Sequence, residues 1–284
     1  MPTLQHILFP VDFSDRSRAV RPFVQAMANA FNARVTLMHV GQLPTETYGV
    51  QAAWPALFDL TAMRADAQEK LTAFFESPTP NFKMETIAEQ GDPAIYIASY
   101  SEQNDVDMIM MPTHGYGKFR NLLLGSVTAK VLHDAKCPVW TSTHTEDPDL
   151  IHHLRCKNIL CAVDLSAVSG ALIRYGAELA DRFKAELRLV HAVSEADSYP
   201  EQGFGRFLRE AAHEALAKLQ QQSGTNFEAY IEAGAISDVV RAQAMHHDAD
   251  LVVIGRGSIQ ELLGRLRTNA YAIIRNSPCP VLSV

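Results

Sequence analysis

Apolar residues in this chain come as short runs alternating with spaced stripes. Residues 6–11 are almost continuously apolar and are closed by Asp12-Phe13-Ser14. A strand buried on both faces has this pattern. A stripe follows, with Val20, Phe23, Val24, Met27 and Phe31 recurring at three and four. That spacing predicts a helix over 16–32, capped by Ser14 or Asp15. Strands are predicted at 35–40, 83–89, 107–111 and 138–142. Helices are predicted at 57–75 (apolar face Leu60, Met63, Ala67, Leu71, Phe74), from Gly91-Asp92-Pro93 onward, and at 122–135. Pro suits a first helical turn and Asp can cap it.

The whole pattern then recurs. Residues 6–40 align without a gap on 158–192, matching at Ile7, Leu8, Val11, Asp12, Ser14, Ser17, Ala19, Ala28, Phe31, Ala33, Leu37 and His39. Further on, Gly91 meets Gly234, Asp107 meets Asp250, and Cys137-Pro138-Val139 meets Cys279-Pro280-Val281. Two homologous domains are expected, 1–145 and 154–284, joined by a polar linker at 146–153. In the second, strands are predicted at 158–163, 186–192, 227–233, 250–255 and 280–284. Its helices are predicted at 167–183, 204–221, 236–247 and 266–275. Alternating strands and helices give an α/β fold: two tandem, doubly wound, open parallel sheets of five strands each. Ligands of such sheets sit at the carboxyl ends of the strands, where the strand order reverses.

Composition narrows the class without changing that picture. The chain is 47% hydrophobic and 20% charged, which is normal for a globular protein and excludes wholesale disorder. No apolar run is long enough for a membrane span, and no secretory signal is visible at the start. Twenty-five Lys and Arg against 32 Asp and Glu leave a net charge of −7, which argues against nonspecific nucleic-acid binding. Four cysteines do not make a disulfide scaffold, so a cytoplasmic location is expected.

The candidate chemistry lies at the strand ends. Pro10-Val11-Asp12-Phe13-Ser14 follows the first strand and is matched by Ala162-Val163-Asp164-Leu165-Ser166. Such an acid either accepts hydrogen bonds from a nucleoside or fixes the turn and caps the next helix. After the fourth strand come Met111-Pro112-Thr113-His114-Gly115 and then Gly125-Ser126-Val127-Thr128. Glycines allow backbone to approach a phosphate, and the following helix start offers amides to an anion. Hydroxyls of Ser126 and Thr128 can add donors, and His114 can approach a phosphate. His39 and His191 end their strands and either line the cleft or support its loop. Trp54 and Phe58 either lid the cleft or pack on the other half. His152, His153, Cys156 and Cys161 form a candidate zinc set, but Cys161 falls inside a strand and no metal is expected. No Walker-type phosphate loop exists, and no base–nucleophile pair stands out, so no catalytic residue is assigned.

These motifs, in this order, resemble the universal stress protein family over nearly the whole chain, as a tandem of two such domains. The family motif is Gly, two residues, Gly, nine residues, Gly, then Ser or Thr. Gly115, Gly125 and Ser126 fit it, with Pro112 standing for the leading Gly. The resemblance implies that Asp12 contacts adenosine, with Val11 and Val40 near the adenine. Gly115, Gly125, Ser126, Val127 and Thr128 would hold ribose and phosphates, with Pro10, Met111, Pro112 and His114 completing the strand ends. ATP or another adenine nucleotide, with Mg as its accompanying ion, is the expected ligand, and stress response or regulation the expected role. A slow ATPase or autophosphorylating enzyme at the same cleft is the alternative, as is an interaction protein with vestigial sites. Family members pair through their last strands, so 138–142 and 280–284 are expected to join the halves as a pseudo-dimer, with a further homodimer open. The second copy departs more. Gly255 stays, but Ser258 replaces the next Gly, Thr268-Asn269 replaces Gly-Ser, and Arg256, Arg265 and Arg267 enter the stretch. That copy's site is expected to be lost, or else rebuilt around the arginines.

Overall fold

The computed structural model describes residues 4–42, 59–75, 81–115, 124–142, 155–193, 204–256 and 265–284. The chain divides into two compact units that part within β5, between Val139 and Trp140. The first half of the chain contains β1 (His6–Pro10), α1 (Asp15–Phe31), β2 (Arg34–Gly41), α2 (Leu60–Ala73), β3 (Met84–Gln90), α3 (Pro93–Gln103), β4 (Met108–Pro112), α4 (Ser126–Asp134) and β5 (Val139–Ser142). Its strand order is β3-β2-β1-β4-β5. Parallel ladders join β1 to β2, β1 to β4 and β2 to β3. Winding therefore reverses between β1 and β4, and every residue of these two strands is buried.

The local signals act as read. Ser14 caps α1 by accepting from the Ser17 amide at 3.2 Å, and Asn32 ends the helix in the left-handed region. Val20, Phe23, Val24 and Met27 are buried. Asp92 caps α3 through the Ala94 and Ile95 amides, with Pro93 opening the helix. The α2 stripe needs correcting: Ala67, Leu71 and Phe74 are buried, but Leu60 and Met63 are exposed. Gln68 bonds to Thr86, and Arg64 already reaches Glu89 near the end of β3. The first turn of α2 therefore runs past the strand it packs on.

The second unit contains β6 (Asn158–Ala162), α5 (Ser169–Phe183), β7 (Glu186–Val193), α6 (Phe204–Ser223), β8 (Glu228–Ala233), α7 (Ile236–His246), β9 (Leu251–Ile254), α8 (Arg265–Asn276) and β10 (Val281–Ser283). Its order, β10-β9-β6-β7-β8, is the same winding. The ladders of β6 with β7 and β9, of β7 with β8 and of β9 with β10 are parallel. Helix α5 starts at Ser169 rather than 167, because the Ser169 amide first closes a turn onto the Ser166 carbonyl at 3.0 Å. Cys161 is wholly buried in β6. Burial pushes its thiol and that of Cys156 up to about 12, so neither offers a ready thiolate. His152, His153, Trp54 and Phe58 lie outside the described residues. Among the described residues, no group of three His, Cys, Asp or Glu is placed to hold a metal, and no helix is long and apolar enough to cross a membrane.

One matched pair from the repeat serves the opposite, amino ends of the strands. Asp107 Oδ2 accepts from the Gln5 and His6 amides at 2.7 and 2.9 Å. Asp250 Oδ2 accepts from Lys157 and Asn158 at 2.6 and 2.9 Å. Each carboxylate ties the start of a fourth strand to the start of a first. Asp107→Ala orphans two amides and is expected to destabilise the first unit by about 1–3 kcal/mol in denaturant melts.

His6, beside that tie, is buried. Its Nδ1 lies 3.0 Å from both the Asn104 carbonyl and Arg34 Nη2, and its Nε2 lies 2.8 Å from Thr36 Oγ1. Burial holds its pKa below 6.5, and the Arg34 guanidinium adds to that, while the Asn104 bond and the Glu85 and Asp107 charges oppose it. The unfolded chain thus takes up a proton at a higher pH than the folded one. Stability should be full above about pH 6.5 and fall as pH drops below it. Melting curves from pH 8 to 5 should show this loss, and His6→Gln should flatten it.

Candidate functional site

Asp12 leaves β1 at the point where the winding reverses, and it is tightly held. Its Oδ1 accepts from the Ser14 amide at 3.0 Å and from the Ser14 and Ser17 hydroxyls at 2.5 Å each. Phe13, next in the chain, is left-handed with φ 64. Its ring lies 4.5 Å from the His39 ring. His39 Nδ1 donates to the Val11 carbonyl at 2.7 Å. A carbonyl only accepts, so the Nδ1 proton is fixed, and His39 supports the loop as the second of its two readings had it. Val11, Val40 and Met111 are buried around this turn, and Pro10 is buried as the last residue of β1.

The loop from β4 meets Asp12 directly. A Cβ on Gly115 would run into Asp12 Oδ2. At Gly125 a Cβ would stand 3.0 Å from the Thr113 carbonyl and 3.4 Å from His114 Cα. The Gly125 amide donates to that same carbonyl at 2.9 Å. Both glycines are therefore fixed by close approach. Gly125 is also the N-cap of α4 and supplies no side-chain acceptor, so the first amides of the helix face the loop region uncapped by it. Thr128 is buried, and its hydroxyl donates to the Pro112 carbonyl at 3.1 Å, so it braces the strand end. Ser126 is exposed, Val127 half-buried, and His114 Nδ1 lies 3.1 Å from Thr113 Oγ1.

Sequence reasoning did not single out Ser17, Phe13 or Arg16. Ser17 was recoverable, since it recurs with Asp12 and Ser14 in both copies. Arg16 Nη1 donates to the Gly115 carbonyl at 3.2 Å across 99 positions, and no local signal announces that.

The second copy keeps the turn and changes the rest. Asp164 accepts from the Ser166 amide at 3.0 Å and the Ser169 hydroxyl at 2.7 Å. Burial raises its pKa, but the bonds from Ser166 and Ser169 outweigh that and leave it below the ordinary value. Leu165 repeats the left-handed backbone with φ 61, and His191 repeats the bond to the carbonyl before Asp, Val163, at 2.8 Å. Among the described residues, however, a Cβ on Gly255 would meet only Leu172 Cδ2, at 3.7 Å. Helix α8 begins at Arg265, roughly one turn before its counterpart α4, so Thr268 and Asn269 lie inside the helix. Their amides belong to helical turns rather than to an open end. Ser258 and the side chains of Arg265, Arg267 and Thr268 lie outside the described ones.

Known proteins match this arrangement. A universal stress protein of Methanocaldococcus jannaschii is 29% identical over 135 residues, 47% of this chain and 78% of the relative. One from Thermus aquaticus is 29% identical over 133 residues, 47% of this chain and 94% of the relative. In fold, the crystal structure of a universal stress protein from Archaeoglobus fulgidus superposes with a TM-score of 0.70 at 22% identity, covering 100% of this chain and 97% of that one. The sequence pattern of the universal stress protein family matches twice, at residues 3–142 and 155–284. With both halves matched and both wound alike, the chain belongs to the universal stress protein family, as a tandem of two domains.

Proposed function

We propose that the first unit binds an adenine nucleotide at the carboxyl ends of β1 and β4, and that the chain acts as a regulatory stress-response protein. The observation that carries this reading is the Asp12–Gly115 approach at the winding reversal, with Gly125 opening α4 beside it. Asp12 would receive the nucleoside through Oδ2, since Oδ1 is already occupied by Ser14 and Ser17. Gly115, Gly125, Ser126 and Val127 would face ribose and phosphates, with Mg entering as the counter-ion of the phosphates. His39 serves the Val11 carbonyl through Nδ1 and so supports the loop. In this reading the cleft binds and senses rather than turns over. The second unit keeps Asp164 for its turn and loses the open helix end.

Isothermal titration of the full chain with ATP, with and without Mg, tests this. One site per chain is expected, weakened at least tenfold in Asp12→Ala. Absence of any adenine-nucleotide heat in the unaltered chain would overturn the reading.

A further inference from the structure

We infer that Gln90 reads the base of the nucleotide, its carboxamide pairing with the exocyclic amine of adenine and so setting the base preference of the first unit. The inference deepens the proposed nucleotide site and rests on it. Gln90 is the last residue of β3 and stands in register with Gly41, the last residue of β2. Its carboxamide lies against that glycine. A Cβ on Gly41 would stand 2.5 Å from Gln90 Oε1, 2.7 Å from Nε2 and 2.9 Å from Cδ. The amide thus occupies the place of the side chain that Gly41 lacks. Strand β2 adjoins β1, so one strand spacing of about 4.8 Å separates Gly41 from the strand that delivers Asp12. The loop after β1 also follows the end of β2, since the Val11 amide donates to the Met38 carbonyl at 2.8 Å and the Phe13 ring rests on His39. A nucleoside held by its ribose at Asp12 and lying over Val40 brings its base to the Gln90 carboxamide.

Among the described residues, nothing donates to Gln90 Oε1, although that atom is closed off from solvent. A buried acceptor without a donor leaves its desolvation uncompensated. The last torsion of a Gln side chain is soft, so the amide can turn to a ligand at little cost and gain the donor it lacks. A carboxamide offers an acceptor beside a donor, which matches the adenine amine and the ring nitrogen next to it. The repeat supplies an internal comparison. Gly41 and Gln90 align with Val193 and Ala233, which are in register with each other on β7 and β8. There the residue on the second strand carries its own bulk and its partner is small. Filling the space therefore requires no polar group. The amide stands in the copy that keeps the Asp12–Gly115 approach and the open start of α4, and is missing from the copy whose helix end is closed.

The test is titration of the full chain with ATP and with purine riboside triphosphate, which differs only in lacking the amine. The unaltered protein should prefer ATP about tenfold. Gln90→Leu should weaken ATP about tenfold and the analogue less than twofold, so that the preference disappears. A double variant, Gly41→Val with Gln90→Ala, copies the pair of the second unit. It should lose the same preference while its melting temperature stays within a few degrees of the parent, and it carries the test if Gln90→Leu folds poorly. If the variants weaken both ligands alike, Gln90 only shapes the cleft and the inference is overturned. If the unaltered chain binds the two ligands equally, or the variants keep its preference, the inference is overturned while the nucleotide site stands. If the unaltered chain binds neither ligand, the site itself is refuted and the role of Gln90 with it.

Discussion

Phe9→Ala is expected to destabilise the first unit by about 3–5 kcal/mol, the range for emptying a fully packed aromatic site. Phe9 is completely buried in β1 and stands in register with Leu37 of β2. Phe74 and Phe75 meet its ring edge-on, with centroids 5.9 and 6.4 Å away. Both close off the end of α2, whose first turns contribute little burial. Removing Phe9 therefore loosens the end of α2 against the sheet as well as opening a cavity. The aligned residue in the second unit is Cys161, equally buried but small. Helix α5 approaches it through Gly176, where a Cβ would lie 3.8 Å from that of Cys161. The two cores share a winding and fill it differently, so Cys161→Ala should cost only about 1 kcal/mol. A chain of two units need not unfold in one step, so the readout is a thermal scan rather than one global free energy. Phe9→Ala should lower one transition by on the order of 10 °C, and Cys161→Ala should leave it in place. Equal shifts for the two variants would contradict the packing described here.

The sequence carried the winding because buried parallel strands and amphipathic helices have different periods, and the repeat supplied each element twice. The caps at Ser14 and Asp92 were readable because a capping side chain acts on amides two or three residues away. What escaped depended on lengths and on distant chain. The exposed start of α2 follows from where β3 ends. The early start of α8 turns Thr268-Asn269 from a lost glycine pair into the interior of a helix. Thr128 was read as a ligand donor because a hydroxyl near a helix start can serve that way, but a carbonyl 16 residues back claims it. Asp12 is the instructive case. Turn support falls to Oδ1, while Oδ2, turned to Gly115, is the oxygen left for the proposed ligand contact.

That division makes Gly115→Ala the most damaging single change expected at the site. The added methyl meets Asp12 Oδ2. A carboxylate on a free rotor would swing aside at little cost, but this one is held through Oδ1 by the Ser14 amide and two serine hydroxyls. Either it rotates and gives up those bonds, or the β4 loop moves away and takes the Gly115 carbonyl from Arg16. Both routes displace the group proposed to receive the nucleoside. Adenine-nucleotide affinity should fall by a factor of ten to a hundred, with a stability loss of about 1–3 kcal/mol if the hydrogen bonds are what yields. Gly255→Ala is the matched control, because among the described residues its methyl would make only an ordinary contact with Leu172 at 3.7 Å. It should leave binding and melting unchanged. Titration of the two variants side by side separates a glycine required by close approach from one that merely survives in the repeat. A Gly115→Ala protein that bound nucleotide as well as its parent would show that Asp12 and Gly115 do not shape the ligand site.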